Sequence, residues 1–269
     1  MQQSEASSTK SHAPRTHAKI PHFIPGALRW RLEWLSQHLR VEYQNIRHPV
    51  VELGGVKIPV SRALSDNIRA ALYDGYYESA ELRTIHSKLE PEDRVMEIGA
   101  GIGFISSCCA KKIGSDRVFA YEANPQMETL IRDVYALNGV NPELQICIVG
   151  DHEGEQTFYV EHDFWSSSTI RPGAQAKAIT VTTKNFNDEI CRVDPTFLIM
   201  DIEGGEYDLF QQIKFNRIRK IAVELHTDIL GQDKINTIKK VMADAGFNIV
   251  ELLSSRIENV KEVLFLERT

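Results

Sequence analysis

Positive charge is in short supply: 31 Lys and Arg face 37 Asp and Glu over 269 residues, a formal net charge of −6. No global basic field exists to hold phosphate backbones, which argues against a dedicated nucleic-acid binder. Long apolar runs are missing too; none reaches the roughly 18 uncharged residues a membrane-spanning helix needs. The opening MQQSEASSTKSHAPRTHAK lacks the apolar centre of a secretory signal, so the sequence reads as cytoplasmic. The four cysteines, Cys108, Cys109, Cys147 and Cys191, show no CxxC spacing, which disfavours disulfides and structural zinc. With 42% hydrophobic and 25% charged residues, the chain is neither disordered nor collagen-like.

What is present divides into three stretches. Residues 1–20 carry almost no large apolar side chain and read as a flexible tail. Residues 21–90 begin with a helical pattern from about Pro25 to Tyr43. It carries Leu28, Leu32, Leu35 and Leu39 on one face and Trp30, Trp34 and Val41 nearly opposite. One stripe can dock on the core; the other needs a second surface, which could be another copy of the chain, a lipid interface or the rest of the domain. VVELGGVKIPV then reads as a β-hairpin about Gly54-Gly55, and a helical cap ends in the aromatic LYDGYYESAE.

From Arg94 onward short apolar runs alternate with helical ones: RVMEIG, RVFAYE, LQICIV, TFLIMDIE, RKIAVEL, FNIVELL and NVKEVLFLE. That alternation predicts an α/β fold over residues 91–269. The sheet should be Rossmann-like, seven-stranded and mostly parallel, with helices on both faces and the last strand entering by a hairpin. Residues 155–183 interrupt it as an inserted β-excursion around HDFWSSSTI.

The most informative segment is VMEIGAGIGF, where a strand ending in Glu97 passes through Gly99, Gly101 and Gly103 into a helix. Such glycines let a ligand approach amides at a helix N-terminus, outside the carboxyl ends of the strands. The spacing is not GxGxxG, because Phe104 fills the third glycine position, and no GxxxxGK[ST] is present. Glu97 would repel a phosphate and suit a cationic ligand.

ExGxGxG followed by YEANP resembles the class I S-adenosylmethionine-dependent methyltransferases. The resemblance implies that Glu97, Gly99, Ala100, Gly101, Gly103 and Phe104 form the loop around the amino-acid end of the cofactor. It also implies that Glu122, with Ala123 and Asn124, serves the ribose hydroxyls, and that Asp151 in IVGDHEG lies near the adenine. More narrowly, GYYESAE, MEIGAGIGF, YEANP, MDIEGGEYDLF and VELH look like the FkbM family, from about Tyr73 to the end of the chain. That family implies O-methylation of a sugar, glycan or natural-product hydroxyl.

Transfer to a hydroxyl needs one proton removed. MDIEGGE sets Asp201 and Glu203 at one strand end, and VELH sets Glu224 and His226 at the next. His226 is attractive as a base because an unperturbed imidazole titrates at about 6.5, and Asp201 would serve if Glu203 raised its pKa. Glu203 and Glu206 could equally cap the next helix. A divalent cation on Asp201 with Glu224 or His226 is the alternative; no metal is the expectation. Acceptor contacts are expected from Trp165, Ser166 and Tyr77, with Tyr76 and Tyr77 alternatively a lid, and a homo-oligomer could form through the N-terminal helix. Rival readings are a non-catalytic binding protein or scaffold on the same fold and, less favoured, an NAD-dependent oxidoreductase.

Overall fold

A computed structural model describes residues 26–160 and 176–268, with side chains from residue 31 onward. The expected tail at 1–20 and the segment carrying Trp165 and Ser166 lie outside the described residues.

Helix α1 (Gly26–Arg47) leads into the hairpin β1 (Val50–Leu53) and β2 (Val56–Pro59), then α2 (Asp66–Asp74) and α3 (Ser79–Lys88). Ser65 caps α2 by accepting the Ile68 N–H, and Gly75 closes it in the left-handed conformation. Val41 is the buried point of α1, flanked by ion pairs from Arg40 to Asp74 and from Glu42 to Arg69. Neither expected stripe docks whole: Leu32, Leu35 and Leu39 are exposed, and so is Trp34. Polar anchoring to α2 fixes the helix with Val41 inward, and that choice turns the leucines outward.

Next come β3 (Val95–Ile98), α4 (Phe104–Ile113), β4 (Val118–Glu122), α5 (Glu128–Asn138), β5 (Glu143–Ile146), β6 (Ile148–Gly150), β7 (Gly154–Val160) and β8 (Lys177–Asn185). The chain continues through α6 (Phe186–Val193), β9 (Phe197–Met200), α7 (Glu206–Gln212), β10 (Lys220–His226), α8 (Thr227–Leu230) and α9 (Gln232–Asp244). It ends with β11 (Asn248–Ile249), β12 (Ser255–Ile257) and β13 (Lys261–Glu267). The main sheet has the order β11-β13-β10-β9-β3-β4-β5, with β12 added beside β13. Strands β5, β4, β3, β9 and β10 run parallel, and β13 is antiparallel to β10 and β11. This is the expected mostly parallel α/β sheet, with β12 as an eighth strand. Every residue of β3, β4, β9 and β10 is buried, as strands covered by helices on both faces require.

Two expected strands differ. LQICIV is not continuous: it leaves the main sheet at Cys147, whose N–H still donates to the Glu122 carbonyl, and β6 pairs with β8 in a three-stranded sheet β6-β8-β7. Both halves are apolar, so the change of partner left no mark in the pattern. FNIVELL shrinks to the two residues of β11, because Glu251–Leu253 turn into a 3-10 helix. The parallel strands all deliver their carboxyl ends to one edge, and the first residues of antiparallel β13 arrive there beside His226.

Candidate active site

After β3 the chain turns through Gly99, Gly101 and Gly103, all with positive φ. Two of them answer to close packing. A Cβ on Gly99 would stand 1.8 Å from the Asp201 carbonyl oxygen, and one on Gly103 would stand 2.8 Å from Ile131 Cγ2. Ala100 is buried and donates its N–H to the Tyr121 carbonyl, and Phe104, fully buried, starts α4.

Glu122, at the end of β4, accepts the N–H of Gly101 and that of Asn124, each at 2.8 Å. Burial pushes its carboxyl up to about 7 against the pull of those backbone donors. Glu97 is 3% exposed, burial pushes it up to about 8, and its Oε2 has no hydrogen-bond partner among the described residues. Ala123 packs against the core of the small sheet. Asp151 follows β6, so it stands at the small sheet rather than at a main-sheet strand end; it is exposed and contacts His152. A positive-φ loop beside two buried carboxyls, one with an unpartnered oxygen, suits a ligand that brings hydroxyls and a cationic donor.

Across the loop lies a cluster of acids around one imidazole. Asp201 follows β9, Gly204 and Gly205 lead into α7 at Glu206, and β10 supplies Glu224 and His226. His226 Nδ1 is 2.6 Å from Glu206 Oε1, and its Nε2 is 3.2 Å from Glu224, 3.3 Å from Glu203 and 3.9 Å from Asp201. Lys261 Nζ, from β13, lies 2.6 Å from Glu224 Oε1. Burial would lower the His226 pKa, but hydrogen bonds to Glu203, Glu206 and Glu224 outweigh it and hold the imidazolium well above its ordinary range. His226 is therefore charged at neutral pH, which corrects its reading as a free base near 6.5.

Asp201 moves the other way from a normal carboxyl. Its side chain is 39% accessible at the cleft, yet packing and then the Glu224 charge raise it well above the carboxylate range. The raising neighbour is thus Glu224 rather than the expected Glu203. Glu224 itself, although buried, is lowered by His226 and Lys261. Asp201, Glu224 and His226 each offer one ligand atom within 4.8 Å of the others, so a divalent cation could be held there, although the Lys261 ammonium already sits on Glu224.

The third wall comes from the turn before α3. Tyr77 is buried with its ring centroid 6.0 Å from that of Phe104, while Tyr76 is 57% exposed. Glu78 follows in the left-handed region. Trp165 and Ser166 lie outside the described residues. Spacing alone did not single out Glu78, Glu206 or Lys261 as members of this cleft. Glu206 was legible only as a helix-capping acid, and Lys261 only as one residue of the strand run NVKEVLFLE.

A family model described as "Methyltransferase FkbM domain" matches residues 97–249. No curated protein matches the chain. Solved structures similar to it include a ribosomal protein L11 methylase from Lactobacillus delbrueckii subsp. bulgaricus, at 15% identity over 72% of this chain and 80% of that one, TM-score 0.43. Another is a precorrin-6y C5,15-methyltransferase from Geobacter metallireducens GS-15, at 15% identity over 70% and 87%, TM-score 0.45. A third is TYW2 from M. jannaschii in complex with AdoMet, at 14% identity over 82% and 86%, TM-score 0.42.

Proposed function

The chain belongs to the FkbM methyltransferase family, and from that premise we propose that it methylates a hydroxyl of a sugar, glycan or natural-product acceptor. It is a methyltransferase, with S-adenosylmethionine as the methyl donor. Membership sets aside the scaffold and hydride-transfer alternatives.

The observation that carries the hydroxyl reading is the acid–imidazole cluster, whose Asp201 meets the glycine loop in direct backbone contact. A hydroxyl acceptor has a proton to lose, and a carboxylate of raised basicity is a stronger acceptor for it than an ordinary one. In this reading Asp201 takes the proton at its Oδ atoms. The His226 imidazolium stabilises the carboxylate, while Glu206 on Nδ1 fixes the ring so that Nε2 faces Asp201, Glu203 and Glu224.

When bound, S-adenosylmethionine supplies a methyl group already activated by its sulfonium. The residues that would hold it are the loop Glu97, Gly99, Ala100, Gly101, Gly103 and Phe104, with Glu122, Ala123 and Asn124 for the ribose and Asp151 toward the base. The unpartnered Glu97 oxygen and the glycine turn support this assignment. Tyr77, Trp165 and Ser166 are assigned to the acceptor side.

The same reading makes α1 the contact between two copies of the chain and keeps the enzyme in the cytoplasm. The exposed Leu32, Leu35 and Leu39 recur at the three- and four-residue spacing that lets like helices pair. Sedimentation would test it: a monomer at micromolar concentration removes the contact.

The function itself is tested by incubating the chain with S-adenosylmethionine and a panel of glycans and polyhydroxylated natural products, then mapping the added methyl by mass spectrometry. Methyl on oxygen of at least one acceptor is expected. Methylation confined to nitrogen or carbon would overturn the reading. Separately, Glu122→Ala is expected to weaken S-adenosylhomocysteine binding, and unchanged affinity would mean the ribose contact is misplaced.

A further inference from the structure

Four non-glycine residues among those described have positive φ: Glu78, Asp194, Asn216 and Asn259. Asp and Asn tolerate the left-handed region because their short polar side chains bond locally, and three of the four need no further account. Glu78 has no such excuse. It sits at φ 43°, ψ 38° at the N-cap of α3, yet its side chain makes no capping bond to that helix. A left-handed residue of this kind is strained and persists where surrounding structure imposes it. Its neighbour Tyr77 is buried against Phe104, immediately after the glycine loop.

The strain delivers a carboxyl to a place already crowded with them. Glu78 shares its surroundings with Glu81, Glu97 and Asp201, and these like charges together with burial keep it well above the usual carboxylate range. Among the described residues no lysine or arginine forms an ion pair with it, and the Tyr77 hydroxyl pulls its pKa down only in part. Beside it, Glu97 is 3% exposed and holds an Oε2 with no partner. Glu97 thus acts electrostatically on Glu78, and neither carboxyl has a lysine or arginine in an ion pair among the described residues.

Position along the cleft indicates which cation. Tyr77 lies under the influence of Glu78, Asp201 and Glu122 together, whereas the carboxyls acting on Glu78 are Glu81, Glu97 and Asp201. Tyr77 packs its ring on that of Phe104, the residue after Gly103, so the next residue, Glu78, lies at the glycine-loop side of the cleft, where Glu97 and Asp201 act on it. An elongated donor anchored by its ribose at Glu122 presents its amino-acid end there, and that end carries an ammonium with three N–H donors.

We propose that Glu78 is a cofactor-binding residue: held in a left-handed backbone next to the buried Tyr77, its carboxylate receives the α-ammonium of S-adenosylmethionine together with the free oxygen of Glu97. The inference rests on the donor assignment above. It deepens that assignment by naming a contact upstream of the matched residues 97–249.

The test is calorimetric titration of the full chain and its Glu78→Gln and Glu78→Gly variants with two nucleosides. S-adenosylhomocysteine carries the ammonium, and 5′-methylthioadenosine lacks the whole amino-acid arm. Glu78→Gln is expected to weaken the first about tenfold or more, equivalent to about 1.4 kcal/mol, and to leave the second within about twofold. Glu78→Gly relieves the left-handed strain, so it should melt no lower than the parent chain and still show the same selective loss. Equal weakening of both nucleosides, or no weakening of S-adenosylhomocysteine, overturns the role of Glu78 and leaves the donor assignment standing. Failure of the parent chain to bind either nucleoside overturns both.

Discussion

Gly99 and Asp201 meet through their backbones: the position a Cβ would take on Gly99 is 1.8 Å from the Asp201 carbonyl oxygen. The loop assigned to the donor and the strand end assigned to the base thus share one contact, and neither can move alone. Gly99 also has φ 89°, a conformation side chains rarely adopt. Gly99→Ala is therefore expected to cost about 2–4 kcal/mol of stability and to abolish both donor binding and turnover. Thermal melting with S-adenosylhomocysteine titration checks it; a variant that melts normally and binds normally would show that the contact is not rigid.

Asp201→Asn and His226→Ala should each lower kcat by about 100-fold or more while donor affinity stays within about twofold. Because Asp201 is raised and must be ionised to accept a proton, kcat in the parent enzyme should keep climbing with pH above the range where an ordinary carboxylate has already ionised. A flat profile, or full activity in both variants, would remove the pair from the chemistry.

Glu97 and Glu122 stay protonated in the folded chain above the pH at which they ionise when unfolded, from the ordinary 4.5 up to about 8 and about 7 respectively. The folded form binds the extra protons in that window, so their contribution favours folding below pH 4.5 and declines as pH rises through it. Glu97→Gln removes one titration. It should raise the melting temperature at pH 8 relative to the parent and change it little at pH 5. Identical shifts at both pH values would contradict the buried, protonated state.

Chelation distinguishes base catalysis from a metal at the same strand ends. Lys261 already neutralises Glu224 at 2.6 Å, so activity is expected to survive prolonged treatment with a strong chelator. Loss of activity restored by a divalent ion would move Asp201, Glu224 and His226 into the role of ligands.

Sequence pattern was most informative where burial was complete. VMEI, VFAYE, FLIM and KIAVELH are strands covered on both faces, and an uninterrupted apolar run between helical stretches is what such strands look like. The turn at Cys147 left no mark, since Leu144, Ile146, Cys147, Ile148 and Val149 run on as one apolar stretch although β5 itself is only partly buried. The glycine spacing exposed the loop, and strand-end acids pointed to Glu97, Glu122 and Asp201.

The charge on His226 was out of reach, because it depends on Glu206 from the turn of α7 and on three more acids that only the strand order assembles. Lys261 arrives by the antiparallel register of β13, in which it faces His226 across the strand pair. Glu78 stood inside a recognisable aromatic segment, but glutamate has no preference for left-handed backbone, so nothing local announced its conformation.

Strand β13 lies between β10 and β11, although it follows both in the chain. During synthesis the central strands can find one another early, but β11 has no partner in the main sheet until residues 261–267 have left the ribosome. The cleft waits on the same event, because Lys261 is the cation on Glu224. A nascent chain therefore carries its acids and its glycine loop before it carries the strand that balances them, and competence for chemistry waits for β13.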